Sequence, residues 1–158
     1  MIRVGLGYDL HCFESGRRLV LGGYEIDHDR GLAGHSDGDA LCHAITDALL
    51  GALALGDIGG HFPDNDPRYK DANSLKLLEV ALNLVHGAGF DVVNVDTVVV
   101  TQAPKLQPHV PAIRQRLAET LKLPKDRISI KAKTNEGVGP EGRGDALSTQ
   151  AIVLLESA

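Results

Sequence analysis

Three residues in the first third of the chain have the types and spacing of a metal site. Asp9 and His11 stand two apart, just after an apolar opening run, Ile2-Arg3-Val4-Gly5-Leu6, that reads as a strand. Positions i and i+2 of a strand face the same way, so carboxylate and imidazole project together from its end. The third residue, His43, lies in HSDGDALCHAITDALLGALALGDIGGHFPD, residues 35–64, which reads as one long helix followed by an acidic loop. Zinc at a catalytic centre commonly takes three N or O protein ligands and keeps a fourth position open. Each part alone is common: many hairpin ends carry Asp-x-His, and a lone helix histidine is often a solvated surface group. Together they point to zinc.

The helix that must carry His43 opens with a start signal, Ser36 and Asp37 before Gly38 and Asp39. Leu41, Ile45, Ala48, Leu49 and Ala52 recur at spacings of three and four, which is one buried stripe. At 100° per residue His43 lies about 200° round from Leu41, off that stripe. Asp39 and Asp47 sit four residues to either side of it, which predicts one shared polar edge. The helix is expected to end near Leu55, at Gly56. Cys12 and Cys42 adjoin the two histidines, which leaves open a role as alternative ligands. Cys12 alternates away from His11, however, and Cys42 points about 100° from His43, so both are expected to be reduced, packed thiols.

The remaining elements follow from periodicity and breakers. Arg18-Leu19-Val20-Leu21 and Tyr24-Glu25-Ile26 flank Gly22-Gly23, a hairpin signal. Residues 56–67 hold too many glycines, prolines and acids for a helix or strand, and read as a connector or a substrate lid. A second helix is predicted from about Asn73 to Val85 and a β-branched strand from Val92 to Thr101. Pro111 opens a third helix, with Ile113, Leu117 and Leu121 on one face, and Pro124 stops it. Strands follow at Ile128–Lys133 and Leu147–Leu155, with a glycine-rich loop from Thr134 to Gly144 between them. That loop lacks a phosphate-loop lysine signature. The order predicts an α+β sandwich, with helices on one face of a mixed sheet.

At 158 residues the chain is read as a single domain, 1–158, small for an enzyme that must also enclose a substrate. Sharing a site between subunits solves that problem. A formal charge of −5 and the lack of any Lys/Arg run argue against a nucleic-acid surface. An acidic protein can still bind phosphates if metal ions supply the positive charge. No signal peptide, membrane span or lipidation motif is visible, so a cytoplasmic location, or an organelle lumen, is expected.

GYDLH, GGYEI, GLAGHSDGD, ALGDIGGHFPDND, TQAPKLQPH and KTNEGVGPEGRGD, in that order over nearly the whole chain, resemble the 2-C-methyl-D-erythritol 2,4-cyclodiphosphate synthase family. The resemblance implies a ferredoxin-like fold and a homotrimer with active sites between subunits. It implies conversion of 4-diphosphocytidyl-2-C-methyl-D-erythritol 2-phosphate to the cyclic diphosphate and CMP, without a protein nucleophile. That agrees with the lack of any Ser–His–Asp or Cys–His arrangement. Two other readings share these residues: a metal-dependent nucleotide pyrophosphohydrolase, and a nucleotide- or metal-binding trimer without turnover.

Carried over by position, the resemblance makes Asp9, His11 and His43 zinc ligands and has Glu136 help hold Mg2+ or Mn2+ on the substrate diphosphate. His35 and Thr134 become the catalytic pair that stabilises the transition state. Ser36, Asp57, Ile58 and Gly59 join the substrate set, with Asp57 and Gly59 toward the ribose. Phe62, Pro63, Asp64, Asn65 and Asp66 close over the methylerythritol. Thr101, Gln102, Ala103, Pro104, Lys105, Leu106 and Gln107 cradle cytosine, while Lys133, Asn135 and Arg143 neighbour the phosphates or an adjoining hydrophobic channel. One departure is Pro140, which stands where relatives often carry an aromatic lining a trimer-axis channel for isoprenoid diphosphates. That channel's ligand is therefore not expected from the resemblance.

Overall fold

The computed structural model describes residues 1–158. The first strand, β1 (Ile2–Ser15), runs well past the Ile2–Leu6 core of the expected strand, so Asp9 and His11 lie within it rather than at its end. Pairing explains the extra length, since β1 is hydrogen-bonded antiparallel to the last strand, β7 (Ala146–Ser157), from Ile2 through Cys12. Its two faces differ. Gly5 and Gly7 are buried while Ile2, Val4, Leu6, Tyr8 and Leu10 alternate with them on the exposed face.

The predicted hairpin forms from β2 (Leu19–Leu21) and β3 (Tyr24–Ile26), joined through Gly22 and Gly23, both at positive φ (58° and 72°). A short strand that periodicity did not reveal, β4 (Arg30–Leu32), pairs with the far end of β1. The helix carrying His43, α1 (Ala40–Ala52), ends three residues before the expected Leu55, where the chain turns through Ala54 at φ 57°. Of its 13 residues 11 are buried, because it lies against β1, β7 and a second helix at once. The expected one-sided stripe is thus a helix covered nearly all round.

Residues 56–67, read as unable to form a helix, contain a single turn, α2 (Ile58–His61), whose start is capped by Asp57 accepting the Gly60 N–H. One side-chain cap is enough to hold one turn despite two glycines. Then follow α3 (Ser74–Gly87), β5 (Phe90–Val100), α4 (Val110–Leu121), β6 (Ile128–Lys133) and a one-turn α5 (Gly139–Gly142) that Pro140 helps open. No helix is long and apolar enough to cross a membrane.

The main sheet has the order β4-β1-β7-β5-β6, antiparallel except for the β5–β6 pair, so it is mixed as expected. Helices α1, α3 and α4 cover one face, and the buried core of Leu, Ile, Val and Ala side chains lies between. The layering is that of a ferredoxin-like α+β sandwich. The connectivity runs β-α-β-α-β-β, with a parallel β5–β6 neighbour pair, in place of β-α-β-β-α-β. The other sheet face is open and apolar along β1, with Ile2 68%, Val4 63% and Leu6 65% exposed.

Candidate metal centre and substrate clefts

The site begins with two glycines. A Cβ on Gly5 would stand 1.8 Å from the Ala48 carbonyl oxygen, and one on Gly7 would stand 1.8 Å from that of Ala44. Only glycine lets α1 lie this close to β1, and that contact brings His43 over the same strand face as Asp9 and His11. The start of α1 is fixed independently. Asp39, wholly buried, accepts the Cys42 N–H as helix cap, and also the N–H groups of Gly22 (2.9 Å) and Gly23 (2.7 Å) from the β2–β3 turn. This corrects the polar edge expected of Asp39, His43 and Asp47. Asp39 is a buried cap, and Asp47 accepts the Ile58 N–H at 2.7 Å and so anchors α2.

Asp9 Oδ2 lies 2.7 Å from His11 Nε2 and 2.9 Å from His43 Nδ1, and the two ring nitrogens are 3.2 Å apart. The opposite nitrogen of each ring has its own partner. His11 Nδ1 meets the Ala33 carbonyl, which can only accept, so that nitrogen carries the proton. His43 Nε2 meets the hydroxyls of Ser74 and Ser36. His11 thus turns its Nε2 lone pair to the carboxylate and His43 presents Nδ1 beside it, which is the arrangement ligating histidines need. The three N/O donors thus fit a zinc ion, and Asp9, His11 and His43 form a group able to hold one.

Without a metal the rings can instead carry protons toward Asp9. Burial pulls the Asp9 carboxyl upward, but in that state hydrogen bonds and positive charge from His11 and His43 outweigh it and hold its pKa at about 2. Burial likewise works against His11, yet the hydrogen bond and charge of Asp9 leave it raised. Neither cysteine joins the group. Cys42 is buried, and burial with the Asp39 charge keeps its thiol protonated, as expected of a packed thiol. Cys12 is exposed on the open sheet face, which corrects the expectation that it is packed.

Above the three donors opens a cleft of about 400 Å³. His35, Ser36, Ile58, Gly59, Phe62, Pro63, Asp64 and Asn65, which the resemblance assigns to the substrate set, line it. His35 Nε2 is 3.1 Å from the Asp66 carbonyl oxygen, which ties the helix-entry segment to the loop opposite. Asp57 and Asp66 do not line the cleft; Asp57 caps α2, and Asp66 accepts from the Arg68 guanidinium. Tyr69 and Leu77 line it without having been foreseen, Tyr69 edge-on to Phe62 with ring centroids 5.4 Å apart. A tyrosine in a polar loop carries no periodic signal, so only the folded loop reveals it.

A second cleft, of about 460 Å³, is lined by Thr101, Gln102, Pro104, Lys105, Leu106, Gln107, Ala132, Lys133 and Thr134. The expected cytosine-side residues thus gather at the ends of β5 and β6. Ala103 accepts from the Thr101 hydroxyl through its carbonyl, just outside the lining. Asn135, Glu136 and Arg143 also lie off it. The Thr134 hydroxyl donates to Glu136 at 3.2 Å, and Arg143 pairs with Asp145 at 3.0 Å. Glu136 does not join the Asp9–His11–His43 group within one chain. β7 and β5 stand between β1 and β6, so three strand spacings, about 14 Å, separate the strand that carries Asp9 and His11 from the one that leads to Thr134.

Known proteins share both sequence and fold. A 2-C-methyl-D-erythritol 2,4-cyclodiphosphate synthase of Gloeobacter violaceus is 60% identical over 155 residues, covering 98% of this chain and 95% of that protein. The solved structure of a bifunctional IspDF protein from Campylobacter jejuni superposes with a TM-score of 0.96 at 42% identity. It covers all of this chain, which spans 43% of that longer one. A solved 2C-methyl-D-erythritol-2,4-cyclodiphosphate synthase in its CDP-bound form gives a TM-score of 0.90 at 42% identity, over 98% of this chain and 100% of that one. The YgbB family model matches residues 2–156, and the chain belongs to the YgbB family.

Proposed function

We propose that this protein is a metal-dependent cyclodiphosphate synthase. It converts 4-diphosphocytidyl-2-C-methyl-D-erythritol 2-phosphate into 2-C-methyl-D-erythritol 2,4-cyclodiphosphate and CMP, in isoprenoid precursor synthesis. The observation that carries the reading is the convergence of Asp9, His11 and His43 at the cleft, in a chain 60% identical to a synthase of that name. An oxygen of the substrate's 2-phosphate forms a bond to the β-phosphorus. The bond from that phosphorus to the bridging oxygen breaks, and the oxygen leaves on CMP. Attacker and target share one molecule, so the protein's task is to fold the substrate and offset charge.

Asp9, His11 and His43 are the proposed zinc ligands, and Glu136 contributes to a Mg2+ or Mn2+ site on the diphosphate. Bound there, the cations withdraw charge from phosphoryl oxygens as Lewis acids. His35 and Thr134 donate hydrogen bonds to phosphate oxygens as charge builds. Phe62, Pro63, Asp64 and Asn65, opposite the metal donors, exclude water from the folded substrate. The residues at the ends of β5 and β6 take the cytidine.

The assembly is proposed to be a homotrimer, with each site built from the metal cleft of one subunit and the cytidine cleft of its neighbour. Two features support this. The apolar face of β1, five residues long in alternation, needs a cover of its own kind. The expected partner of the metal group, Glu136, stands off it within the chain. The proposed location is the cytoplasm or an organelle lumen. Phosphorus NMR of a turnover mixture tests the chemistry. A cyclic diphosphate with CMP supports it, whereas CMP with an open-chain bisphosphate would identify a pyrophosphohydrolase.

A further inference from the structure

His43 has a second set of contacts, on the side away from Asp9 and His11. Its Nε2 lies 2.8 Å from Ser74 Oγ and 3.1 Å from Ser36 Oγ. Ser74, wholly buried, is the first residue of α3, 31 positions further along the chain. Its hydroxyl has one proton, and that proton is directed to Asp37 Oδ1 at 2.5 Å, a carboxylate that can only accept. What the Ser74 oxygen offers His43 is therefore a lone pair. Nε2 of His43 carries the proton, and Nδ1 presents its own lone pair to the metal donors.

Asp37 is itself held rigid. Its Oδ2 accepts the Ser74 N–H at 3.0 Å, its Oδ1 accepts the Asp39 N–H at 3.1 Å, and its own N–H donates to the Ala72 carbonyl at 3.1 Å. We propose that Ser74 and Asp37 are positioning residues for the metal centre: the chain Asp37–Ser74–His43 fixes which nitrogen of His43 faces the ion and at what angle. The same contacts fasten the end of the 62–73 segment, which forms the far wall of the cleft, to the ligand-bearing helix. The inference rests on the reading of Asp9, His11 and His43 as a zinc centre.

The Ser74 hydroxyl is separable from the start of α3. In Ser74→Ala the backbone N–H still bonds Asp37, and Asn73 still caps the helix by accepting the Leu75 N–H. Ser36 Oγ remains as a longer acceptor for His43, so a Ser36→Ala/Ser74→Ala double variant removes both. Outer partners of a ligating histidine are worth roughly 10–100-fold in metal affinity. The measurements are the zinc dissociation constant, by competition with a chromophoric chelator, and the d–d spectrum of the cobalt-loaded protein. Ser74→Ala and Asp37→Asn should each weaken zinc by roughly tenfold and the double variant by roughly a hundredfold, with a shifted cobalt spectrum.

Zinc affinity within about twofold of wild type in all three, with an unchanged spectrum, would overturn the proposal. Long-range 1H–15N NMR of the zinc-loaded wild-type protein decides it without any variant. His43 bound through Nδ1 and protonated at Nε2 is expected, and the opposite tautomer overturns it. A wild-type protein that takes up no zinc removes the metal-centre reading itself, which separates that failure from this one.

Discussion

Gly7 lies so close to Ala44 that a Cβ on the glycine would stand 1.8 Å from the alanine's carbonyl oxygen. The atom it would meet is helix backbone, which cannot rotate aside. Gly7→Ala must therefore push α1 away from β1, one residue from His43 and two from Asp9. The expected cost is about 2 to 3 kcal/mol of stability, at the upper end for an overpacked contact. Zinc affinity should fall along with it, because His43 rides on the displaced helix. Urea denaturation and zinc titration of the variant check this; full stability with unaltered zinc binding would show that the helix is not held by this contact.

The metal donors were legible from local sequence because each rule concerned only neighbours. Asp9 and His11 share a strand face at i and i+2, and helical phase set His43 off the Leu41 stripe. What lay beyond reach was the other side of the helix. Asp39, at i−4 from His43, reads as a companion on a polar edge, yet its carboxylate accepts N–H groups from a hairpin 16 and 17 residues upstream. Ser74 and Tyr69 reach the site only once the 62–73 segment has folded back over α1. Likewise the length of β1 depended on β7, at the other end of the chain.

Proton competition at the zinc donors gives a pH dependence with a definite sign. Asp9, held at about 2, stays ionised through the neutral range and contributes no slope there. His11 is raised above its ordinary 6.5, so its protonated form is favoured and must give up a proton to bind zinc. Apparent zinc affinity should therefore begin to fall above pH 6.5 as pH is lowered, by roughly tenfold per pH unit once His11 is protonated. Chelator competition across that range provides the measurement. A flat profile through neutrality would contradict His11 as a ligand.

Glu136 stands apart from the zinc group and accepts from the Thr134 hydroxyl. Replacing it by glutamine keeps the shape and removes the charge a hard cation requires. Glu136→Gln should retain a full equivalent of zinc while activity falls by roughly a hundredfold and loses its dependence on added Mg2+ or Mn2+. Metal analysis beside steady-state rates tests both halves. Loss of zinc together with the second cation would show that the two sites are not separate.

If the site is shared between subunits, two crippled chains should rescue one another. His43→Ala disables the metal cleft, and Thr134→Ala the cytidine cleft, which has a separate lining at the ends of β5 and β6. Each homotrimer should be nearly inactive. When the two chains are unfolded and refolded together in equal amounts, a site needs an intact metal half beside a neighbour's intact cytidine half. With random mixing in a cyclic trimer each condition is met half the time, so roughly a quarter of sites recover. If both halves of a site came from one chain, every chain would carry one lesion and no mixture could assemble a whole site. Activity that stays at the level of the parents, in trimers shown by native mass spectrometry to contain both chains, would therefore place the whole site within a single subunit.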